Sequence, residues 1–323
     1  MDKLRRATDL MQKGFSLLDE YCYEEALKVG QKLKKLRHSS AFEILALAHL
    51  RSDRLSKAIA VLEEGVAKAG RIWVLWELLG NCYSDAGRYA KAEKAYQKAL
   101  RLDNCDHEAV HLNRAIAFNR AAKYLEAKSA LRFVKSPRLN RRADSCRIRT
   151  ALKLGNVRAA RQLAARLSRI RPSCHEDYDR DSESEILLSC ALALKGDPRA
   201  KTKALRFAFR AVETRPDNAE ALALIREISH RKIAPLFLFS LLIHGVWHSP
   251  VGKSTFPPGF LRTLEVAAAT ERFAFQYAKE FFPPEVRKSL SIEETKTLDS
   301  HKLTLGGVYF LSGYIFYPRR RKW

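Results

Sequence analysis

Small residues recur along this chain at a near-constant step. Ala26, Ala58, Ala92, Ala127, Ala160 and Ala204 lie 32, 34, 35, 33 and 44 residues apart. Three positions before the first five stand large apolar side chains, Tyr23, Leu55, Tyr89, Tyr124 and Val157. A small residue lets two helices approach closely, and a large neighbour closes the gap beside it. The matching point one helix earlier is Gly14, Ala46, Gly80 or Ala115. Turn formers fall where this step needs them, at Asp53, Asp85 to Gly87, Gly155-Asn156 and Gly196 to Pro198. Pro172 and Pro216 close two units, because proline cannot continue a helix. The pattern predicts about six helix–turn–helix units over roughly 7–216. A further helix, Asn218 to about Arg231, should cover the open apolar end of the stack.

After Lys232 the period changes. Pro235 breaks the helix, and Leu236–Trp247 is apolar with β-branched and aromatic content. Gly259–Ala267 alternates more loosely, Thr270–Phe282 reads as helix up to Pro283-Pro284, and Ser289–Leu298 and Val308–Tyr317 read as strands. The expected organisation is a repeat domain over 1–232 and a small α+β domain of β-β-α-β-β order over 233–323. The sixth unit is expected to be stretched by an acidic insert, 175–185.

The third unit carries the most specific motif. Trp76, Leu79, Gly80 and Tyr83 are followed by Ala92 and Tyr96. This matches W-x2-L-G-x2-Y and A-x3-F, with Tyr96 in the place of Phe. Over roughly 7–231 the chain resembles tetratricopeptide-repeat proteins. The resemblance implies a mainly α fold, a superhelix whose concave face is lined by the first helix of each pair and binds peptides or protein partners. The run Gly259 to Val266, the following helix, Ser291 to Glu294 and the closing Gly313 to Tyr317 resemble a family of small uncharacterised bacterial α+β domains, which implies no activity.

The net charge of +23 is unevenly placed. Between Arg132 and Arg171 stand thirteen Lys or Arg against one acid, Asp144. This defines an expected basic face with Arg141, Arg142, Arg147, Arg149, Arg158 and Arg161, joined by a tail at 319–322. Clustered cations suit an acidic protein partner or, as the alternative function, nucleic acid and ribonucleoprotein. The basic residues also fit solvated outer helix faces. No nucleic-acid fold motif accompanies the charge, and no tryptophan interleaves with it to form a stacking platform. Six cysteines are scattered without a C-x-x-C pair, the opening residues lack an apolar leader core, and the longest apolar stretch is too short to span a bilayer. The expected location is the cytoplasm, with no membrane partner and no cofactor.

Candidate chemistry is sparse. His107, Glu108 and His111 match H-E-x-x-H, which on a helix sets two imidazoles on one face for zinc. Arg114 and Ala117 occupy the places of the Gly and His that would complete an extended zinc motif, and the pattern opens a repeat helix, so metal binding is disfavoured. Gly252-Lys253-Ser254-Thr255 ends like a phosphate loop, but Trp247 stands where the loop needs glycine. His244 and His248 flank Trp247 at a strand end and read as an exposed rim. No nucleophile constellation stands out, and the chain is expected not to be an enzyme.

The resemblance also implies where a partner would sit. Repeats of this family that clamp a terminal carboxylate project Lys, Asn and Arg from successive first helices. Asn81, Asn113 and Arg114 occupy such polar places, whereas Ala46 and His49 stand near the place of the basic residue in the second unit. The expected function is a non-enzymatic interaction scaffold holding a protein or peptide, acidic ones among the candidates.

Overall fold

In a computed structural model the chain forms paired helices followed by a small antiparallel sheet. The structure describes residues 2–167, 180–229, 236–247, 258–298 and 303–317. Residues 175–179, the Gly252–Thr255 run, His248 and the 319–322 tail lie outside these. In chain order come α1 (Asp2–Asp19) and α2 (Tyr23–Lys35), α3 (Ser40–Arg51) and α4 (Leu55–Lys68), α5 (Trp73–Asp85) and α6 (Tyr89–Ala99). They are followed by α7 (His107–Arg120) and α8 (Tyr124–Ala130), α9 (Asn140–Lys153) and α10 (Val157–Leu167), α11 (Arg180–Leu194) and α12 (Lys201–Thr214), then α13 (Ala219–Ser229). Tyr23, Leu55, Tyr89, Tyr124 and Val157 each begin a second helix. The small residues that marked the period are fully buried.

The same period sets the turns. Tyr21, Asp53, Gly87, Ala122 and Gly155 all have left-handed backbone, with φ of 61°, 56°, 71°, 57° and 75°. In each case the next amide donates to a carbonyl five residues back: Cys22 to Leu17, Arg54 to His49, Arg88 to Tyr83, Lys123 to Phe118 and Asn156 to Ala151. This closure satisfies the orphan carbonyls of the first helix and reverses the chain. Two of the five positions are glycine, which adopts the conformation without steric cost.

Contacts group the chain into two compact units, Met1–Asn156 and Val157–Trp323. In the first, neighbouring repeats are tied by ion pairs between residues about one period apart. Lys34 reaches Glu64 at 2.6 Å, Arg54 reaches Glu24 at 2.5 Å, and Arg120 pairs with Asp85. Part of the cationic excess is thus held within the stack.

The composition break near Lys232 falls inside the second unit. There β1 (Phe237–Val246) pairs antiparallel with β2 (Gly259–Ala268), Phe237 opposite Ala268 and Val246 opposite Gly259. Helix α14 (Glu271–Lys279) follows, with Thr270 as its N-cap. The edge strand β3 (Ser291–Leu298) joins β1, while β4 (Gly307–Leu311) and β5 (Ile315–Tyr317) pair with opposite ends of β2. The final expected strand is therefore split in two. Glu293, Glu294 and Lys296 stud β3, as charged residues do on edges that must not pair further.

The sheet shares its packing with the repeat helices. Arg226 of α13 donates to the Val308 carbonyl at 2.6 Å, and its guanidinium lies 3.7 Å from the Tyr309 ring centre. Phe209 of α12 meets Phe281 edge-on at 5.0 Å. The terminal helix α13, expected to cover the stack, is itself covered by β4. Residues 180–185 of the acidic stretch form the start of α11. Glu183 and Ser184 are buried, and Ser184 donates to the Ala211 carbonyl and accepts from Asn218. Asn218 in turn caps α13 by accepting from the Ala221 amide at 3.0 Å.

Candidate functional site

Successive first helices of the first unit touch one another, α1 with α3, α3 with α5, α5 with α7 and α7 with α9. They form a continuous wall whose middle helices, α3 and α5, carry few polar residues. Helices α3 and α5 are apolar except for isolated groups, and the acids within them are Glu43, Glu77 and, at the end of α5, Asp85, which pairs with Arg120. Glu77 accepts from the Asn113 side-chain amide of α7 at 2.8 Å. Burial raises Glu43 above the usual carboxylate range. Burial also raises Glu77, opposed by the Asn113 hydrogen bond; Asp106 and Glu43 push it further up and Arg142 pulls it down. These influences place Glu43, Asn113 and Arg142, from three neighbouring first helices, within electrostatic reach of Glu77.

The three expected groove residues have separate fates. Asn81 accepts from the Tyr96 hydroxyl at 2.8 Å, inside its own helix pair. Asn113 lies on the wall with Glu77. Arg114 points to α6, where both carboxylate oxygens of Glu93 take its guanidinium, and it lies over the Phe118 ring at 5.1 Å. Sequence reading looked for cations and passed over Glu43 and Glu77. Their signal was present, a single acid among apolar residues in the body of each helix. At the second unit, Ala46 is fully buried and the His49 pKa is lowered, first by burial and then by Arg54 and Lys57, so neither Ala46 nor His49 supplies a fixed positive charge.

The expected basic face also divides. Arg142 and Arg158 are exposed, while Arg141 and Arg149 are half-buried and engaged. Arg147 turns inward, bonding Asp144 at 2.8 Å and the carbonyls of Leu131 and Val134 at 3.1 and 2.6 Å. It supports the loop after α8 and is not a solvated face residue. Arg161 lies 3.5 Å from Asp197.

Two of the H-E-x-x-H residues, Glu108 and His111, have packing roles, while His107 is exposed. Glu108 accepts from the amides of Lys135 and Ser136 at 2.9 and 2.6 Å, pinning the loop before α9. The His111 ring stacks on Phe133 at 4.4 Å, and burial lowers its pKa so that the neutral imidazole is favoured. Among the described residues no three His, Cys, Asp or Glu side chains gather for a metal. Cys22, Cys82, Cys105, Cys146 and Cys190 are free thiols. His244, half-buried on the interior strand β1 and not on an exposed rim, approaches Ser291 and Glu293 of the edge strand at 3.4 and 3.6 Å. Among the described residues no helix is long and apolar enough to cross a membrane.

Residues 73–104 match the family model of the tetratricopeptide repeat. No curated protein matches the chain by sequence. Among solved structures, the chain is similar to PilF of Pseudomonas aeruginosa, at 17% identity over 71% of this chain and 99% of that one, with a TM-score of 0.55. It is also similar to PilW, a widely conserved type IV pilus biogenesis factor, at 16% identity over 68% of this chain and 98% of that one, with a TM-score of 0.54. A third is the APC/C assembly Cut9–Hcn1, at 14% identity and a TM-score of 0.53, where the alignment covers 70% of this chain and 41% of that one. At these identities the likeness is one of fold, and it bears out the repeat architecture read from the sequence.

Proposed function

We propose that this tetratricopeptide-repeat protein is a non-enzymatic scaffold that holds a protein or peptide segment along its first-helix wall. The observation that carries the reading is the pair of carboxylates, Glu43 and Glu77, set half-buried in the largely apolar α3–α5 part of that wall, with Asn113 bonded to Glu77. Leaving a carboxylate partly desolvated costs folding energy, and a ligand that supplies a cation recovers it on binding. The wall therefore suits a segment whose apolar side chains lie along α3 and α5 and which presents a Lys, an Arg or an amine to Glu43 and Glu77. An acidic segment fits this wall poorly. The free thiols, several held protonated by burial, fit a reducing compartment and support a cytoplasmic location.

The test is a selection of random peptides on the full chain, followed by affinity measurement against Glu43→Gln/Glu77→Gln. Selected peptides should carry a basic residue and lose about tenfold or more in affinity on the double variant, as expected when a buried charge pair is removed. Peptides that bind both proteins equally would remove the assignment of the wall.

A further inference from the structure

We propose that the cleft between α4 and α6 is a second docking site, for an acidic peptide segment that inserts an apolar side chain between the two helices. A cavity of about 410 Å³ opens there, floored by Val66, Trp76, Leu79 and Tyr83. That size lies within the usual span of ligand pockets, about 300–1,000 Å³. The polar atoms of the floor are already engaged. The Trp76 indole donates to the Gly70 carbonyl at 2.8 Å, and the Tyr83 hydroxyl donates to Glu63 at 2.5 Å. What the floor offers an incoming group is therefore apolar surface, with no free hydrogen-bonding group to satisfy.

The rim has the opposite character. Lys91, Lys94, Lys98 and Arg101 line one side, at spacings of 3, 4 and 3 residues, so a single stripe of α6 and its C-terminal extension carries them all. Lys94, Lys98 and Arg101 are exposed, and among the described residues none of them forms an ion pair. The one acid of α6, Glu93, is turned away to Arg114. On the facing side, Glu63 is held by Tyr83. Charge complementarity thus selects an occupant with carboxylates along the stripe, and the apolar floor selects a Leu, Phe or Trp among them.

A nucleic acid matches the stripe but not the floor. Base stacking needs an open aromatic face; here the Lys91 ammonium sits 5.5 Å from the centre of the Tyr83 ring, and Trp76 is half-buried. The site is separate from the Glu43–Glu77 wall, which prefers the opposite charge.

Random dodecapeptides are displayed, selected on the full chain and depleted on the Lys94→Glu/Lys98→Glu variant. Both lysines are exposed, and Lys94→Gln/Lys98→Gln replaces the variant if the reversal lowers its melting temperature. Surviving peptides are expected to combine Asp or Glu with a large apolar residue. Changing that residue to Ser should weaken binding about tenfold or more, the equivalent of one buried side chain. Binding should be unchanged by Glu77→Gln. A pool with no survivors, or survivors indifferent to the apolar residue, would overturn the proposal. So would a twelve-residue oligothymidylate that binds the wild type but not the variant while no peptide does.

Discussion

Replacing Gly80 by Ala sets two opposing effects against each other. In a free helix the change stabilises by about 1 kcal/mol, because glycine has the greater backbone freedom to lose. Here the added methyl would meet Tyr96 at 2.6 Å from Cε1, 2.8 Å from Cδ1 and 3.0 Å from Cζ. These distances require the ring to move. The ring is 1% exposed and its hydroxyl is tied to Asn81 at 2.8 Å, so it has little room. Overpacking of this kind costs about 1–3 kcal/mol, and straining or losing the hydroxyl bond adds about 1 kcal/mol. The net expectation is a loss of about 1–3 kcal/mol, or a midpoint shift of several degrees in a unit of this size. Urea unfolding of the full chain, followed by circular dichroism and by the fluorescence of Trp73 and Trp76 on the same helix, reads the change. In a Tyr96→Leu background the clash is absent and Gly80→Ala should be neutral or stabilising, a coupling of about 1–3 kcal/mol. If Gly80→Ala stabilises the wild type, the close approach of α5 and α6 is not as described and the packing argument fails.

Other outcomes follow from the same geometry. Ala122 has a φ of 57° in the turn after α7, so Ala122→Gly should stabilise by about 1 kcal/mol in urea unfolding; a destabilised variant would mean that the turn is not left-handed. Arg262 is buried, donating to the carbonyls of Ser312 and Phe281 at 2.9 Å and to Tyr314 at 3.0 Å. Arg262→Met should cost about 3–5 kcal/mol by stranding those acceptors, and a loss below about 1 kcal/mol would contradict the network. Glu43 and Glu77 are raised by burial, so the folded chain holds their protons longer than the unfolded chain does. Their protonated forms favour folding below the unfolded value, and that advantage is lost as pH rises through the folded one. Glu43→Gln should therefore be more stable than wild type at pH 7 and lose its advantage below about pH 4; an advantage independent of pH would exclude the linkage. Burial pushes the Cys82 thiol up to about 12 and that of Cys146 to about 11, so both should resist a thiol-specific disulfide reagent until unfolding. Prompt labelling of either would contradict their placement.

The repeat fold was legible because one spacing governs several features at once. The same steps of 32, 34, 35 and 33 that separate Ala26, Ala58, Ala92, Ala127 and Ala160 separate the five left-handed turn residues. Gly87 and Gly155 announced their turns by residue type, whereas Tyr21 and Ala122 are held left-handed by the helices on either side. The strands were visible from alternation, but the break between β4 and β5 was not, since Ser312 and Arg262 create it by hydrogen bonding across strands. Arg147 read as surface charge because only the loop at 131–136, folding back, supplies the carbonyls that draw it in. The wall carboxylates were missed for a chemical reason. The carboxylate clamp implied by the resemblance directed attention to Lys, Asn and Arg, while desolvation of Glu43 and Glu77 exists only once neighbouring first helices close around them.

The central claim is that a peptide lies along the first-helix wall, and hydrogen exchange measured on the full chain with and without a selected basic peptide tests it most directly. The account predicts added protection in residues 40–51, 73–85 and 107–120, abolished by Glu43→Gln/Glu77→Gln. Protection confined to 237–317, or unchanged by the double variant, would contradict it.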